Sequence, residues 1–197
     1  MRSKTQSAQA RQRSVTAIKA AALELFAHKG YHHTSISDIA REAGISKGLM
    51  YNYFNSKEEL LTSIVNDAMN SGEDILHVLE DPLLDPSLVL AELARQSVTM
   101  VKSNLHYWKL ITSLAFQTEA MKSLEVLLKN QRERNIKLAV SLFERMGSQT
   151  PLEDAYLFGA TMDGIFVYYM VLDDEFPVDD IVNHFINQFF TSKQQRS

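Results

Sequence analysis

The sequence predicts an all-α protein: an N-terminal three-helix unit followed by a larger helical body. Apolar residues recur at intervals of three and four along most of the chain, and no stretch alternates apolar and polar residues as a half-buried strand does. Four prolines and seven glycines are all that interrupt 197 residues, so long helices meet few breakers. Ser and Asp starts, and Gly or Pro stops, bracket the periodic stretches.

Residues 1–13 are polar and basic without apolar periodicity and are expected to form a disordered arm. From Ser14 onward, Ile18, Ala21, Ala22, Leu25 and Phe26 make one helical face, closed by Lys29 and Gly30. Ser35 and Asp38 have capping-box spacing and open a second, short helix that stops at Gly44. Ser46 caps a third helix running to about Phe54. Ser56 and Glu59 form another S-x-x-E start, and the fourth helix carries Leu60, Leu61, Ile64, Val65 and Ala68 on one face. Its pattern runs on toward Leu79, weakened by Gly72. The proline pair in EDPLLDPS (80–87) makes the strongest break. Helical patterns follow at about 87–104, 106–119, 121–146, 152–172 and 178–190. The expected organisation is an arm at 1–13, a helix-turn-helix unit at 14–60 and a larger helical body at 61–197, to which the resemblance given below assigns ligand binding and dimerisation.

Composition excludes several chemistries. The chain has no cysteine, which removes disulfides, thiolate metal sites and cysteine nucleophiles. It has neither a G-x-x-x-x-G-K-[ST] phosphate loop nor an H-E-x-x-H zinc motif. No catalytic residue, metal or cofactor is expected, and the chain reads as a non-enzyme. His32 and His33 are expected to diverge at a turn rather than to hold a metal. The start lacks the apolar core of a secretory signal. The apolar run 155–172 carries Asp163 near its middle, which is costly in lipid, so it reads as a buried helix of a cytoplasmic protein with no membrane partner.

Residues 1–60 hold nine Lys/Arg against five Asp/Glu, and the remainder holds eleven against nineteen. A basic front on an acidic body is either a chance imbalance or a surface that meets a polyanion. The third helix bears on that choice. Its period places Leu49, Met50, Tyr53 and Phe54 inward and Lys47, Gly48, Tyr51, Asn52 and Asn55 outward. A cation, a residue without a side chain, a phenol and two amides suit the major groove, where base edges display donors and acceptors. Ser46 and Lys47 at the helix start suit a phosphate, as does Lys57 at the start of the fourth helix. The competing reading is a solvated face of a small helical bundle.

The stretch TSISDIAREAGISKGLMYNYFNSKEELL, with AALELFAHKGYHHT before it, closely resembles the N-terminal signature of TetR-family transcriptional regulators. The resemblance covers about residues 14–65, and the remainder is similar only in length and helical character. It implies a homodimer that binds a palindromic double-stranded DNA operator through two helix-turn-helix units. It usually implies a repressor released by a small-molecule effector; an activator, or a ligand-independent regulator of the same fold, is the alternative. Carried over by position, the DNA-contacting set is Thr34, Ser37, Ser46, Lys47, Gly48, Tyr51, Asn52, Tyr53 and Lys57. Tyr53 stands where many members have His or Tyr, so the resemblance sets a phosphate-facing role against the inward place its period gives. The family's last two helices usually form a four-helix dimer interface, here at about 152–172 and 178–190.

Tyr107, Trp108, Phe116 and Met121, with Met162, Phe166 and Tyr169, either line a cavity or fill a core. Aromatics and methionines suit adaptable apolar pockets. With no Arg or Lys clustered among them, the expected effector is apolar or aromatic.

Overall fold

The computed structural model describes residues 4–70 and 83–194, and all regular structure among them is helical. The first four helices are α1 (Lys4–Lys29), α2 (Ile36–Glu42), α3 (Lys47–Tyr51) and α4 (Lys57–Asn70). They are followed by α5 (Pro86–Ser103), α6 (Leu105–Leu114), α7 (Thr118–Arg145), α8 (Pro151–Leu172) and α9 (Val178–Gln194), with a 3-10 turn at Asp173–Glu175. The expected continuation of α4 from residue 71 to Leu79, and residues 80–82 of the proline-marked break, lie outside the described residues.

Helix α1 departs from expectation. It begins at Lys4, so residues 4–13 are helical rather than a disordered arm. The segment KTQSAQARQR is rich in Ala, Gln, Arg and Lys and free of Gly and Pro, so it extends a nucleated helix at little cost. Apolar periodicity, which located the packed part, says nothing about such an extension.

The chain divides into two compact units. The first joins residues 1–69 to 109–127. It therefore includes α4, beyond the boundary expected at residue 60, and a second chain segment that no local pattern assigns to it. Ile18, Phe26, Ile39, Met50, Leu60 and Ile64 form its buried centre, joined by Leu110, Leu114 and Leu124 from the returning segment. α2 packs against both α1 and α3.

The second unit comprises residues 70–108 and 128–197. α5, α8 and α9 pack on one another. Phe143, Phe158, Phe185 and Phe189 form an aromatic cluster, with ring centroids 5.7 Å apart for Phe143–Phe189 and 5.2 Å for Phe158–Phe185. α7 ends in a Schellman motif: Gly147 adopts φ +77°, its N–H donates to Glu144 O at 2.9 Å, and Ser148 N–H donates to Phe143 O at 3.0 Å.

The Phe143 side chain is fully buried in that cluster. Phe143→Ala is expected to lower unfolding free energy by about 3–5 kcal/mol through lost transfer energy plus a cavity. Urea unfolding checks it, and an unmoved midpoint would show that the cluster does not carry the second unit.

Candidate nucleic-acid interface

Local capping sets the positions of α2 and α3. Ser35 Oγ accepts from Asp38 N at 3.1 Å and the Asp38 carboxylate accepts from Ser35 N at 3.1 Å, a complete capping box. α2 ends in a second Schellman motif, with Gly44 N–H donating to Arg41 O at 3.2 Å and Ile45 N–H to Ala40 O at 2.9 Å. Gly44 takes φ +67°, a conformation that strains residues with a Cβ. The chain thus reverses in two residues, and Ser46 at once caps α3 by accepting from Leu49 N at 3.1 Å.

Residues 44–48, GISKG, also fit the G-x-S-x-G pattern of a nucleophile elbow. The elbow needs a strand before the serine and a helix after it. Here a helix precedes it and the Ser46 hydroxyl is the cap of α3, so the match is one of spelling.

The outward face of α3 is as its period predicts. Lys47, Gly48, Tyr51 and Asn52 are exposed, and Met50 and Phe54 are buried. Ser37 on α2 and Ser46 are exposed on the same unit. Leu49, expected to face inward, is 38% exposed, because five residues of helix are too short to bury more than one stripe. Gly48 has open space around its missing Cβ and no positive φ. The fold therefore does not require a glycine there, although glycine costs a helix about 1 kcal/mol relative to alanine.

Three residues of the expected contact set sit differently. Thr34 is only 2% exposed; its hydroxyl lies 2.9 Å from Gly30 O and 3.2 Å from Leu25 O, so it closes the turn after α1 instead of facing outward. Lys57 turns inward as well. Its ammonium donates to Tyr31 O at 2.7 Å and Thr34 O at 3.1 Å and lies 4.3 Å from the Tyr31 ring centroid. Tyr53 is half-buried, with the Arg11 guanidinium 5.1 Å from its ring centroid, which places it between the two expectations. Asn55 Nδ2 donates to Glu59 at 3.0 Å, and Asn55 N to the same oxygen at 2.7 Å.

Sequence reasoning missed Gln117. Its amide accepts from Tyr31 N at 2.8 Å and donates to Phe26 O at 3.0 Å. A lone glutamine between helices carries no periodic signal that would have revealed this. The rings of His32 and His33 meet edge to face at 5.3 Å instead of diverging. His28 pairs with Glu24 at 3.2 Å; Gly30 ends the helix between His28 and His32, so their four-residue spacing gives no shared face.

The apolar candidates fall in two places. Trp108 packs against the core of the second unit, donates from Nε1 to Met100 O at 3.2 Å and meets Tyr107 edge to face. Met162 and Tyr169 are buried in that core, with Phe166 packed against it. Met121 and Phe116 belong to the first unit, and Phe116 is 85% exposed in the turn between α6 and α7. The structure therefore does not gather the seven residues into one interior.

An all-helical chain whose first unit presents a capped helix-turn-helix defines a class, the helical DNA-binding regulators. Residues 18–64 match the model of bacterial regulatory proteins of the tetR family, which supports a TetR-family transcriptional regulator. It is 27% identical to the HTH-type transcriptional regulator BetI of Escherichia coli over 85% of this chain and 89% of BetI. Among solved structures it is similar to NalD of Pseudomonas aeruginosa, described as the secondary repressor of the MexAB-OprM multidrug efflux pump: 26% identity, TM-score 0.77, covering 91% of this chain and 96% of NalD. Two further likenesses are short. The regulator YuxN of Bacillus subtilis is 60% identical over 23% of this chain, and the fatty acid metabolism regulator of the same organism is 41% identical over 31%. Those matches span 16% and 30% of the two relatives' own lengths.

Asp38 ties α2 to its neighbours. Lys29 at 2.8 Å, the Ser35 hydroxyl and amide, and Arg41 at 2.8 Å all meet it, and Lys29 followed by Ser35 holds its carboxyl far below the usual carboxylate range. A depressed folded pKa gives stabilisation that is complete above the unfolded value near ~3.9 and is lost as pH falls toward the folded one. Asp38→Asn is therefore expected to melt below wild type at neutral pH, with the gap narrowing below about pH 4. A gap that stays constant through acid would show that the ionised carboxylate is not what the variant lost.

Proposed function

We propose that the chain is a sequence-specific DNA-binding transcriptional regulator that acts as a homodimer, and that it represses until a small apolar or aromatic ligand releases it. The outward face of α3 carries this reading. Lys47, Tyr51 and Asn52 offer a cation, a phenol and an amide on one exposed surface, and Gly48 among them answers no packing need inside the molecule. Close approach of the helix backbone to a groove explains a glycine there. NalD and BetI, described as a repressor and a transcriptional regulator, support the assignment over most of the chain.

Dimerisation rests on α8. Ala155, Phe158, Met162, Ile165 and Tyr169 bury one side of it, while Tyr156, Leu157, Val167, Tyr168 and Val171 leave the other apolar and exposed, Val171 to 75%. Gly159 and Gly164 have open space at their missing Cβ atoms, as close approach of another helix requires. α8 is long and apolar enough to cross a membrane, but Asp163 at its centre is costly in lipid and acceptable at a protein interface. The face continues onto α9, where Ile181 is also exposed.

Ligand release rests on the core around Trp108, Met162, Phe166 and Tyr169, where no Lys or Arg is buried among the described residues. α6 carries Trp108 in the second unit and Leu110 and Leu114 in the first. A ligand shifts an equilibrium only by its differential affinity for the two states, and operator DNA must weaken ligand binding by the same factor.

Selection from a random DNA pool is expected to return a palindrome. Lys47→Ala, Tyr51→Ala and Asn52→Ala are each expected to cost about 1–3 kcal/mol of specific binding where the side chain reads a base. A combined variant whose isotherm overlays wild type would remove α3 as the reading element. Val167→Arg with Val171→Arg should give a folded monomer by sedimentation, and wild-type protein that is already monomeric at tens of micromolar would refute the α8 interface. Aromatic ligands that saturate Trp108 fluorescence should lower operator affinity. If none does, the protein is a ligand-independent regulator.

A further inference from the structure

The first ten residues of α1, Lys4 to Arg13, precede Ile18, the first buried side chain described on that helix. They extend about 15 Å at 1.5 Å per residue. Core packing does not account for them. The sequence from Met1 to Thr16 holds Arg2, Lys4, Arg11 and Arg13 and no Asp or Glu. One contact fixes this extension relative to α3: the Arg11 guanidinium lies over the Tyr53 ring, 5.1 Å from its centroid. Tyr53 stands two residues past the end of α3, beside exposed Tyr51 and Asn52.

We propose that Arg11 is a further DNA-contacting residue, held by Tyr53 so that it binds a backbone phosphate flanking the groove entered by α3. The proposal rests on the DNA-binding reading above. A cation–π contact with Tyr53 uses no N–H of the guanidinium as a hydrogen-bond donor to an acceptor atom, and the planar N–H fork matches phosphate oxygens. The helical extension supplies Arg11 from a fixed direction, and the absence of acids in residues 1–16 leaves no local charge to compete with phosphate. Arg13 is exposed too, but two residues turn it about 200° around the helix, away from Tyr53. It is therefore a charge-matched control.

The test compares Arg11→Gln with Arg13→Gln in the full chain, since glutamine removes the charge at nearly unchanged helix propensity. The probes are the duplex that wild type selects from a random pool and a scrambled duplex of the same length, titrated from low to moderate salt. Thermal midpoints of both variants are measured alongside. Arg11→Gln is expected to weaken binding to both duplexes by the same several-fold factor and to lower the salt slope by about 1 per protomer. Arg13→Gln should match wild type. Equal losses from the two variants would reduce the effect to net charge and overturn the positioned contact. Arg11→Gln binding as wild type, while the combined Lys47, Tyr51 and Asn52 variant fails to bind, would overturn this proposal and leave the DNA-binding reading intact. If wild type selects no duplex, both fall together.

Discussion

The placement of the exposed face of α3 depends on a corner without regular structure, residues 30–34. Gly30 turns the chain out of α1 at φ +91°, and from there the backbone amides and carbonyls have no helical partners. Side chains from three places supply them. Thr34 reaches back to Leu25 O and Gly30 O, Lys57 caps Tyr31 O and Thr34 O from α4, and Gln117 pairs with Tyr31 N and Phe26 O from 86 residues beyond Tyr31. Leaving a buried backbone group unpaired costs about 1–3 kcal/mol, so these bonds hold the corner in one conformation. The corner delivers Ser35 as the cap of α2, and α2 delivers α3 through the Gly44 turn. Lys57 adds a contact over the Tyr31 ring, so one ammonium serves two neighbouring constraints.

What could be read in advance follows from how local each signal is. Ser35 with Asp38, Ser46 with Leu49 N, and Gly44 act within a few residues, and all appear in the structure as the spacing implies. The long periodic stretches fall within two or three residues of α5, α7 and α8. The errors are orientational or non-local. A threonine before a helix reads equally as a phosphate contact or as a turn closure, and only the presence of Gly30 O and Leu25 O decides. Lys57 reads as an exposed cation until the corner's carbonyls are in place. Resemblance carries positions across, not the rotamer at each one. Residues 109–127 return to the first unit through Leu110, Leu114 and Leu124, whose periodicity identifies a helix face but not the surface it covers.

Glycines divide along the same line. Gly30 and Gly44 are demanded by backbone conformation, and their roles are complete within the fold. Gly48 and Gly164 sit inside helices with open space around them, weakening those helices to no internal benefit. One lies among the polar residues of α3, the other on a helix with an apolar exposed side. The two surfaces suit different partners, a polyanion for the first and another apolar helix for the second.

On the proposed reading these two surfaces are energetically linked. α3 spans five residues, and its exposed face offers Lys47, Tyr51 and Asn52 to a groove. Of these only Asn52 carries the paired donor and acceptor of a bidentate base contact, worth about 1–3 kcal/mol, so one copy discriminates by a few kcal/mol at most. Specific regulators separate their sites from bulk DNA by about 4–10 kcal/mol, so one short helix falls at or below the lower end. Two copies reading two half-sites reach that range, provided their separation matches a helical repeat of about 34–36 Å. Any change that loosens the α8 face, or alters the spacing it imposes, then removes the second copy's contribution. Operator affinity would fall without disturbing a residue that touches DNA. A short recognition helix therefore makes specificity depend on the dimer, and that dependence gives a ligand in the second unit something to act on.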